Sequence, residues 1–343
     1  MASPRIAVVG TGANGGAIAA DLTRAGLDVT LIEQWPDHVE AMRANGLRVT
    51  TPAGESVVTP VHAVNLYEVA TMRTPFDVVM LGVKAYDTRW ACELIKPLLT
   101  DDGVAAGLQN GMTIDDMADI LGPERTVGCV IEVAANMFEP GVIERQTPPW
   151  FAVGPFDASS AGREDVVGDI LRHSGVVEMS PDIRSSKWMK LVVNASELVP
   201  SAILNLPLAD AVGVPGMREF MVETGKEAVR TAIALGNTLV PIFGMRDMDT
   251  SDPDRFAEEL LNHVLSDYTL PNTRTTVLQD WDKGRRAEVA ELNGIIVDAQ
   301  DAVGRPAPAN AITVELARRI ESGDLEARPE NAELLLAVLA DAN

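Results

Sequence analysis

The stretch Gly10-Thr11-Gly12-Ala13-Asn14-Gly15, followed about 20 residues on by Glu33, has the residue types and spacing to hold a dinucleotide. In such a unit the first glycine permits a tight turn, the second lets the backbone approach a pyrophosphate, and the third lets a helix pack close to a sheet. Ala13 and Asn14 open that helix, whose amide dipoles attract the pyrophosphate. Glu33 is placed to accept hydrogen bonds from the adenine ribose hydroxyls and to repel the additional phosphate of NADP. Gln34 and Trp35 follow it, and neither is the arginine that would welcome that phosphate. The expected cofactor is therefore NAD, with NADP disfavoured.

Groups able to move protons lie further along. Lys84 follows the apolar run Phe76 to Val83, and Asn110 sits in Gln109-Asn110-Gly111 after the run Val104 to Leu108. Both fall at the carboxyl ends of strands, where an open α/β sheet places its ligands. Lys190 and Asn194 are one helical turn apart and so share a helix face, an arrangement that suits either a proton donor with a hydrogen-bonding partner or a plain solvated surface. Glu288, in the polar cluster Gly284 to Gly294, is open to the same two readings, and spacing alone does not choose between them.

The elements that must position these groups follow from periodicity. Ile6 to Val9 and Val29 to Ile32 are apolar strands flanking the glycine-led helix. Strand-like runs then alternate with helical patterns as far as residue 180: a helix from Asp37 to Asn45, a hairpin from Leu47 to Val58 turned at Ala53-Gly54, and strands near Val127 to Val133, Val142 to Glu144, Phe151 to Val153 and Val176 to Met179. Beyond it, long helical periods dominate. Helices are expected from Asp182 or Ser185 to Ile203, and over roughly 214–235, 254–267, 284–303, 309–321 and 330–341. The fold class is α/β, an N-terminal Rossmann-type doubly wound parallel sheet (1–180) with a C-terminal all-α domain (181–343), and the cleft between the two is the expected site.

Composition narrows the partners. With 28 basic against 50 acidic residues, a net charge of −22 argues against nucleic acid or an anionic membrane and for a small polar metabolite. Cys92 and Cys129 have neither CxxC nor histidine spacing, so no disulfide framework and no metal site is expected. The first strand begins almost at once and no apolar run approaches a membrane span, which points to a soluble, cytoplasmic protein.

Taken in order, the glycine loop, Val83-Lys84, Gln109-Asn110-Gly111, Trp188-Met189-Lys190-Leu191 with Asn194, Thr276 before Gln279-Asp280, Glu288 before Asn293-Gly294, and finally Gly304, Pro308 and Asn310 resemble the ketopantoate reductases (2-dehydropantoate 2-reductases) over nearly the whole chain. The resemblance implies a Rossmann domain followed by a helical domain, with Lys190 as the general acid that protonates the substrate carbonyl oxygen while hydride reaches the carbon. It implies Glu288 as the acidic partner that positions the lysine or substrate and helps hold the cofactor. Asn110 belongs at the nicotinamide side, Asn194 at the substrate, Lys84 near the cofactor, and Thr276 near the substrate carboxylate in place of the more common serine. Family members occur as monomers and homodimers.

Departures from that pattern qualify the substrate. Glu33 stands where members usually carry an NADP-selecting residue, and Leu198 replaces a substrate-side asparagine. Glu197, seven residues after Lys190, falls close to the same helical face, and Glu132 ends a strand leading toward the expected cleft. Additional carboxylates suit a polyol, an amine or a larger polar substrate better than a small anionic oxo acid. Three readings compete: an NAD(H)-dependent dehydrogenase of a hydroxy or oxo acid or related polar alcohol, running oxidatively because cellular NAD pools are largely oxidised; a biosynthetic 2-dehydropantoate 2-reductase; and a non-catalytic dinucleotide sensor. A histidine-based dehydrogenase is disfavoured, because His38, His62, His173 and His263 fall outside every motif.

Overall fold

Residues 3–246 and 248–340 are described by the computed structural model. They form two units, Met1–Arg184 and Ser185–Asn343. In the first, the strands and helices run β1 (Arg5–Val9), α1 (Ala13–Arg24), β2 (Asp28–Glu33), α2 (Pro36–Asn45), β3 (Leu47–Thr50), β4 (Ser56–Thr59), β5 (His62–Asn65) and β6 (Phe76–Leu81). There follow α3 (Thr88–Ile95), β7 (Leu99–Gly107), α4 (Ile114–Leu121), β8 (Thr126–Glu132), β9 (Ala135–Glu139), β10 (Val142–Arg145), β11 (Trp150–Pro155), α5 (Glu164–Leu171) and β12 (Val176–Met179).

Eight strands make one sheet in the order β12-β11-β8-β7-β6-β1-β2-β5. Its central strands are near-continuous apolar runs because both faces are covered, whereas the edge strand β12 is mostly exposed. Ala17, Leu22, Val167 and Leu171 from α1 and α5 pack on one face, and Ala91, Ile95, Met117 and Leu121 from α3 and α4 on the other. Each fully buried Val, Leu or Ile contributes about 1.5–3 kcal/mol, which is why these faces and not propensity decide the layer order. The strand order reverses between β1 and β6, the topological switch point at which such sheets bind ligands.

The sheet is mixed where a parallel one was expected: β11 runs antiparallel to β8. The reason is the excursion between them. The chain leaves β8, makes the antiparallel pair β9 and β10, and re-enters with Trp150 opposite Glu132, at the end it left. The hairpin β3–β4 is present as expected, but it belongs with β9 and β10 to a second sheet, β4-β3-β10-β9. Leu47, Val49, Met137 and Ile143 of that sheet pack in the same cluster as Ile18 and Ala19 of α1. The Asp21 carboxylate of α1 also pairs with Arg145 at the end of β10, so the small sheet braces the helix that follows the glycine loop.

The second unit is helical: α6 (Ile183–Ile203, starting just ahead of the division), α7 (Leu208–Gly213), α8 (Met217–Ala234), α9 (Pro253–Asp267), α10 (Thr276–Asp282), α11 (Ile295–Ala302), α12 (Pro308–Glu321) and α13 (Ala332–Ala340). The α9 start is marked by the Asp252 carboxylate, which accepts from the Asp254 and Arg255 amides ahead of Pro253. The helix expected over 284–303 begins later. Gly284 takes φ 64 and the exposed Arg285 and Arg286 follow it, so regular structure resumes only near Val289, and then as a π turn, Ala290–Gly294, leading into α11. The short helices α7 and α10 were not anticipated. Among the described residues no helix is long and apolar enough to cross a membrane, and no group of three or more His, Cys, Asp or Glu could hold a metal ion. Cys92 and Cys129 are buried free thiols, and burial pushes Cys92 up to about 12.

Candidate active site

In the first unit the glycine loop runs from β1 into α1, and the three motif glycines meet different surroundings. A Cβ on Gly10, which takes φ 85, would lie 2.5 Å from the Val83 amide nitrogen, and one on Gly15 would lie 2.2 Å from the Gly10 carbonyl oxygen. A Cβ on Gly12 would meet nothing within 4 Å. Gly10 and Gly15 are thus required by the protein's own backbone, whereas Gly12 borders open space. No side chain caps α1 and no acidic residue stands in its first turn, so no side chain of the helix or its cap occupies the amides at its start. That arrangement fits a pyrophosphate. Ala13 is half-buried and Asn14 exposed beside it. Gly82 completes the interlock, since its Cβ would stand 2.6 Å from the Gly10 oxygen. Sequence reasoning passed over Gly82, which reads there as one glycine closing an apolar run.

Glu33 ends β2 at 7% exposure, and both of its carboxylate oxygens already accept from this chain. The Thr11 amide and hydroxyl donate to Oε2 at 2.7 and 3.0 Å, and the Gln34 and Trp35 amides donate to Oε1 at 2.9 and 3.0 Å. A carboxylate offers about four acceptor positions. Glu33 therefore shapes the glycine loop from within, a role its spacing did not reveal.

Lys84 and Asn110 follow the adjacent parallel strands β6 and β7, next to β1 and at the same sheet edge as the glycine loop. Both are half-buried. Gln109 holds the two loops together: its side-chain amide donates to the Thr88 hydroxyl at 2.8 Å and to the Lys84 carbonyl at 3.4 Å. Glu132, also in this unit, is buried at the end of β8.

In the second unit Lys190, Asn194 and Glu197 fall at i, i+4 and i+7 along α6 and are all buried, at 8, 1 and 5% exposure. A solvated face is excluded for all three. The Lys190 ammonium lies 5.3 Å from the centre of the Phe243 ring, a cation–π contact. Phe243 itself takes the left-handed φ of 60°, uncommon for a bulky residue, and packs against His263 and Tyr268. Leu198 is buried in α6.

Two contacts bring the segments bearing the other expected residues to α6. Thr275, immediately before Thr276 at the start of α10, donates its hydroxyl to the Leu198 carbonyl at 3.0 Å. Asn293, in the π turn that begins just after Glu288, donates to the Ala195 carbonyl at 3.0 Å and to Asn310 Oδ1 at 2.8 Å. Glu288 is 3% exposed and Thr276 half-buried. Asn310 is held in turn by the Glu227 carboxylate, which also accepts the Ala309 and Asn310 amides at the start of α12. Burial pushes the Glu227 carboxyl above its usual range, and these donors oppose the shift. Glu227→Ala, which leaves those amides without an acceptor, is expected to cost about 3 kcal/mol in urea unfolding, with Glu227→Gln losing much less.

A switch-point glycine loop with an open helix start, joined in one chain to a buried lysine on a helical unit, defines the class of nicotinamide dinucleotide-dependent oxidoreductases. Within that class the chain belongs to the ketopantoate reductase PanE/ApbA family, whose N-terminal model matches residues 6–158 and whose C-terminal model matches residues 182–321. It is 27% identical to the 2-dehydropantoate 2-reductase of Mesorhizobium japonicum over 92% of this chain and 97% of that one. Among solved structures, a ketopantoate reductase from Ralstonia eutropha superposes with a TM-score of 0.78 at 30% identity, covering 93% and 99% of the two chains. D-mandelate dehydrogenase, solved with NADH and anilino(oxo)acetate, shares the fold at a TM-score of 0.82 and 21% identity, with the same coverage.

Proposed function

We propose that this protein is an NAD(H)-dependent dehydrogenase acting on a 2-hydroxy or 2-oxo acid or a related polar alcohol, with Lys190 as its general acid and base. The observation that carries the reading is the burial of Lys190 and Asn194 on one face of α6, where an exposed pair would have had no chemical reason to withdraw from water. A bound nicotinamide supplies or accepts the hydride. The chain's part is to orient the substrate through Asn194 and Thr276 and to give the Lys190 proton to the carbonyl oxygen, lowering the barrier to negative charge there. Glu288 and Asn110 complete the set, as acidic partner and as hydrogen-bond donor beside the nicotinamide. Lys84 stands by the cofactor.

Preference for NAD over NADP rests on Glu33, a fixed carboxylate at the end of β2 where a 2′-phosphate would arrive. The ratio of kcat/KM with NADH to that with NADPH is expected to exceed about tenfold, equivalent to about 1.4 kcal/mol, and Glu33→Arg to lower use of NADH. A parent enzyme that prefers NADPH removes the argument. The substrate has three candidates. The curated relative from Mesorhizobium japonicum favours ketopantoate, the likeness to D-mandelate dehydrogenase favours an oxo acid with a different side chain, and Leu198 with the buried Glu197 favours a larger polar substrate or polyol. Initial rates with ketopantoate and with aryl and branched 2-oxo acids separate them, and the reverse assay with pantoate and polyols reports the direction.

A further inference from the structure

His38, in the first turns of α2, is fully buried, and both of its ring nitrogens are engaged. The Gly141 amide donates to Nδ1 at 2.8 Å, and Nε2 lies 2.9 Å from the Thr11 carbonyl oxygen. A backbone N–H can only donate and a carbonyl can only accept, so the tautomer is fixed: Nδ1 is bare and Nε2 carries the proton. Burial, which pushes this imidazole below its usual range, agrees with a neutral ring. Gly141 stands in the turn between β9 and β10, and its carbonyl accepts from the Arg48 amide in β3. One side chain thus ties the glycine loop to the small sheet.

The residue it grips is Thr11, between the first two glycines. Glu33 takes the Thr11 amide and hydroxyl, and His38 takes its carbonyl, so every polar group of that residue is held. The Thr11 carbonyl and the Gly12 N–H belong to one planar trans peptide and point in opposite directions. Fixing the carbonyl on His38 therefore aims the Gly12 N–H away from the protein interior, at the residue beside which a Cβ would meet nothing within 4 Å.

We propose that His38 is a positioning residue for the dinucleotide: by holding the Thr11 carbonyl against the β9–β10 turn it orients the Gly12 amide toward the pyrophosphate. The inference rests on the reading of this loop as the dinucleotide site. It does not depend on which substrate is reduced.

The test measures NADH binding to the full-length chain by quenching of tryptophan fluorescence, at a temperature where thermal unfolding shows each variant fully folded. In His38→Leu, which removes donor and acceptor at similar bulk, the Kd for NADH is expected to rise at least about tenfold. His38→Gln keeps one acceptor and one donor on a side chain with the reach of Nε2 and is expected to stay within about threefold of the parent. Should the leucine variant fail to fold, His38→Asn serves, because its shorter amide cannot span Gly141 and Thr11 together. A folded His38→Leu or His38→Asn that binds like the parent overturns the proposal, as does a glutamine variant impaired as much as the leucine one. A parent chain that binds neither NADH nor NADPH overturns the dinucleotide reading, and this inference with it.

Discussion

Lys190→Ala is expected to lower turnover by about a thousandfold or more while leaving the Kd for NADH within about twofold. The first magnitude is what removal of a positioned proton donor costs when the same group also stabilises developing negative charge on oxygen. The second is expected because the glycine loop and Gly82, on which the dinucleotide reading rests, lie in the first unit and are unaltered by a substitution on α6. Single-turnover rates with bound NADH, alongside fluorescence titration of NADH, measure the two quantities separately. Loss of binding together with turnover would mean that the lysine serves the cofactor and not the proton. Unchanged turnover would mean that Lys190 is not the general acid. The neighbouring Phe243 makes the substitution informative about packing as well, since its ring loses the ammonium it faces but none of its contacts to His263 and Tyr268.

The second large effect separates two glycines that the motif treats alike. Gly15→Ala puts a methyl 2.2 Å from the Gly10 carbonyl oxygen, a backbone atom that cannot step aside without moving β1 or α1. It is expected to cost at least about 2 kcal/mol of stability and to abolish NADH binding at concentrations that saturate the parent. Gly12→Ala meets no protein atom within 4 Å and its φ of −58° lies outside the left-handed region, so stability should change by less than about 1 kcal/mol. On the proposed reading its methyl instead enters the space where the pyrophosphate would lie, and the Kd should rise at least about tenfold. Chemical denaturation and NADH titration of both variants check the contrast. If Gly12→Ala bound NADH normally, the open space at the helix start would not be where the dinucleotide lies.

The sequence disclosed what depends on near neighbours. The glycine loop, β1, β2, β6 and the long helices of the second unit follow from apolar periods and caps within a few residues, and the stripe of Lys190, Asn194 and Glu197 follows from helical geometry alone. What escaped depends on distant pairing. β10 pairs with β3 across most of the first unit, and β9 has only one fully buried residue, Met137, to announce it. The antiparallel entry of β11 is dictated by that pair and not by its own residues. The π turn at Ala290–Gly294 escaped for another reason: it adds one residue to a helical turn without altering the polar–apolar pattern on either side. The contacts of Thr11, His38 and Gly82 around the glycine loop escaped because each involves a backbone atom distant in sequence, which the identity of a side chain does not advertise.

The engagement of both Glu33 oxygens bears on how a cofactor preference could change over generations or at the bench. The Glu33 carboxylate, on which the proposed NAD preference rests, latches Thr11 and the start of α2. Exchanging it for a cation in a single step would release those donors at the moment it invited the extra phosphate, so the first product of such a step is an enzyme poor with either dinucleotide. A switch to NADP has to recruit a new acceptor for the Thr11 amide before, or together with, the new charge. A preference set at this position, as proposed, is therefore epistatic with the loop that Glu33 supports.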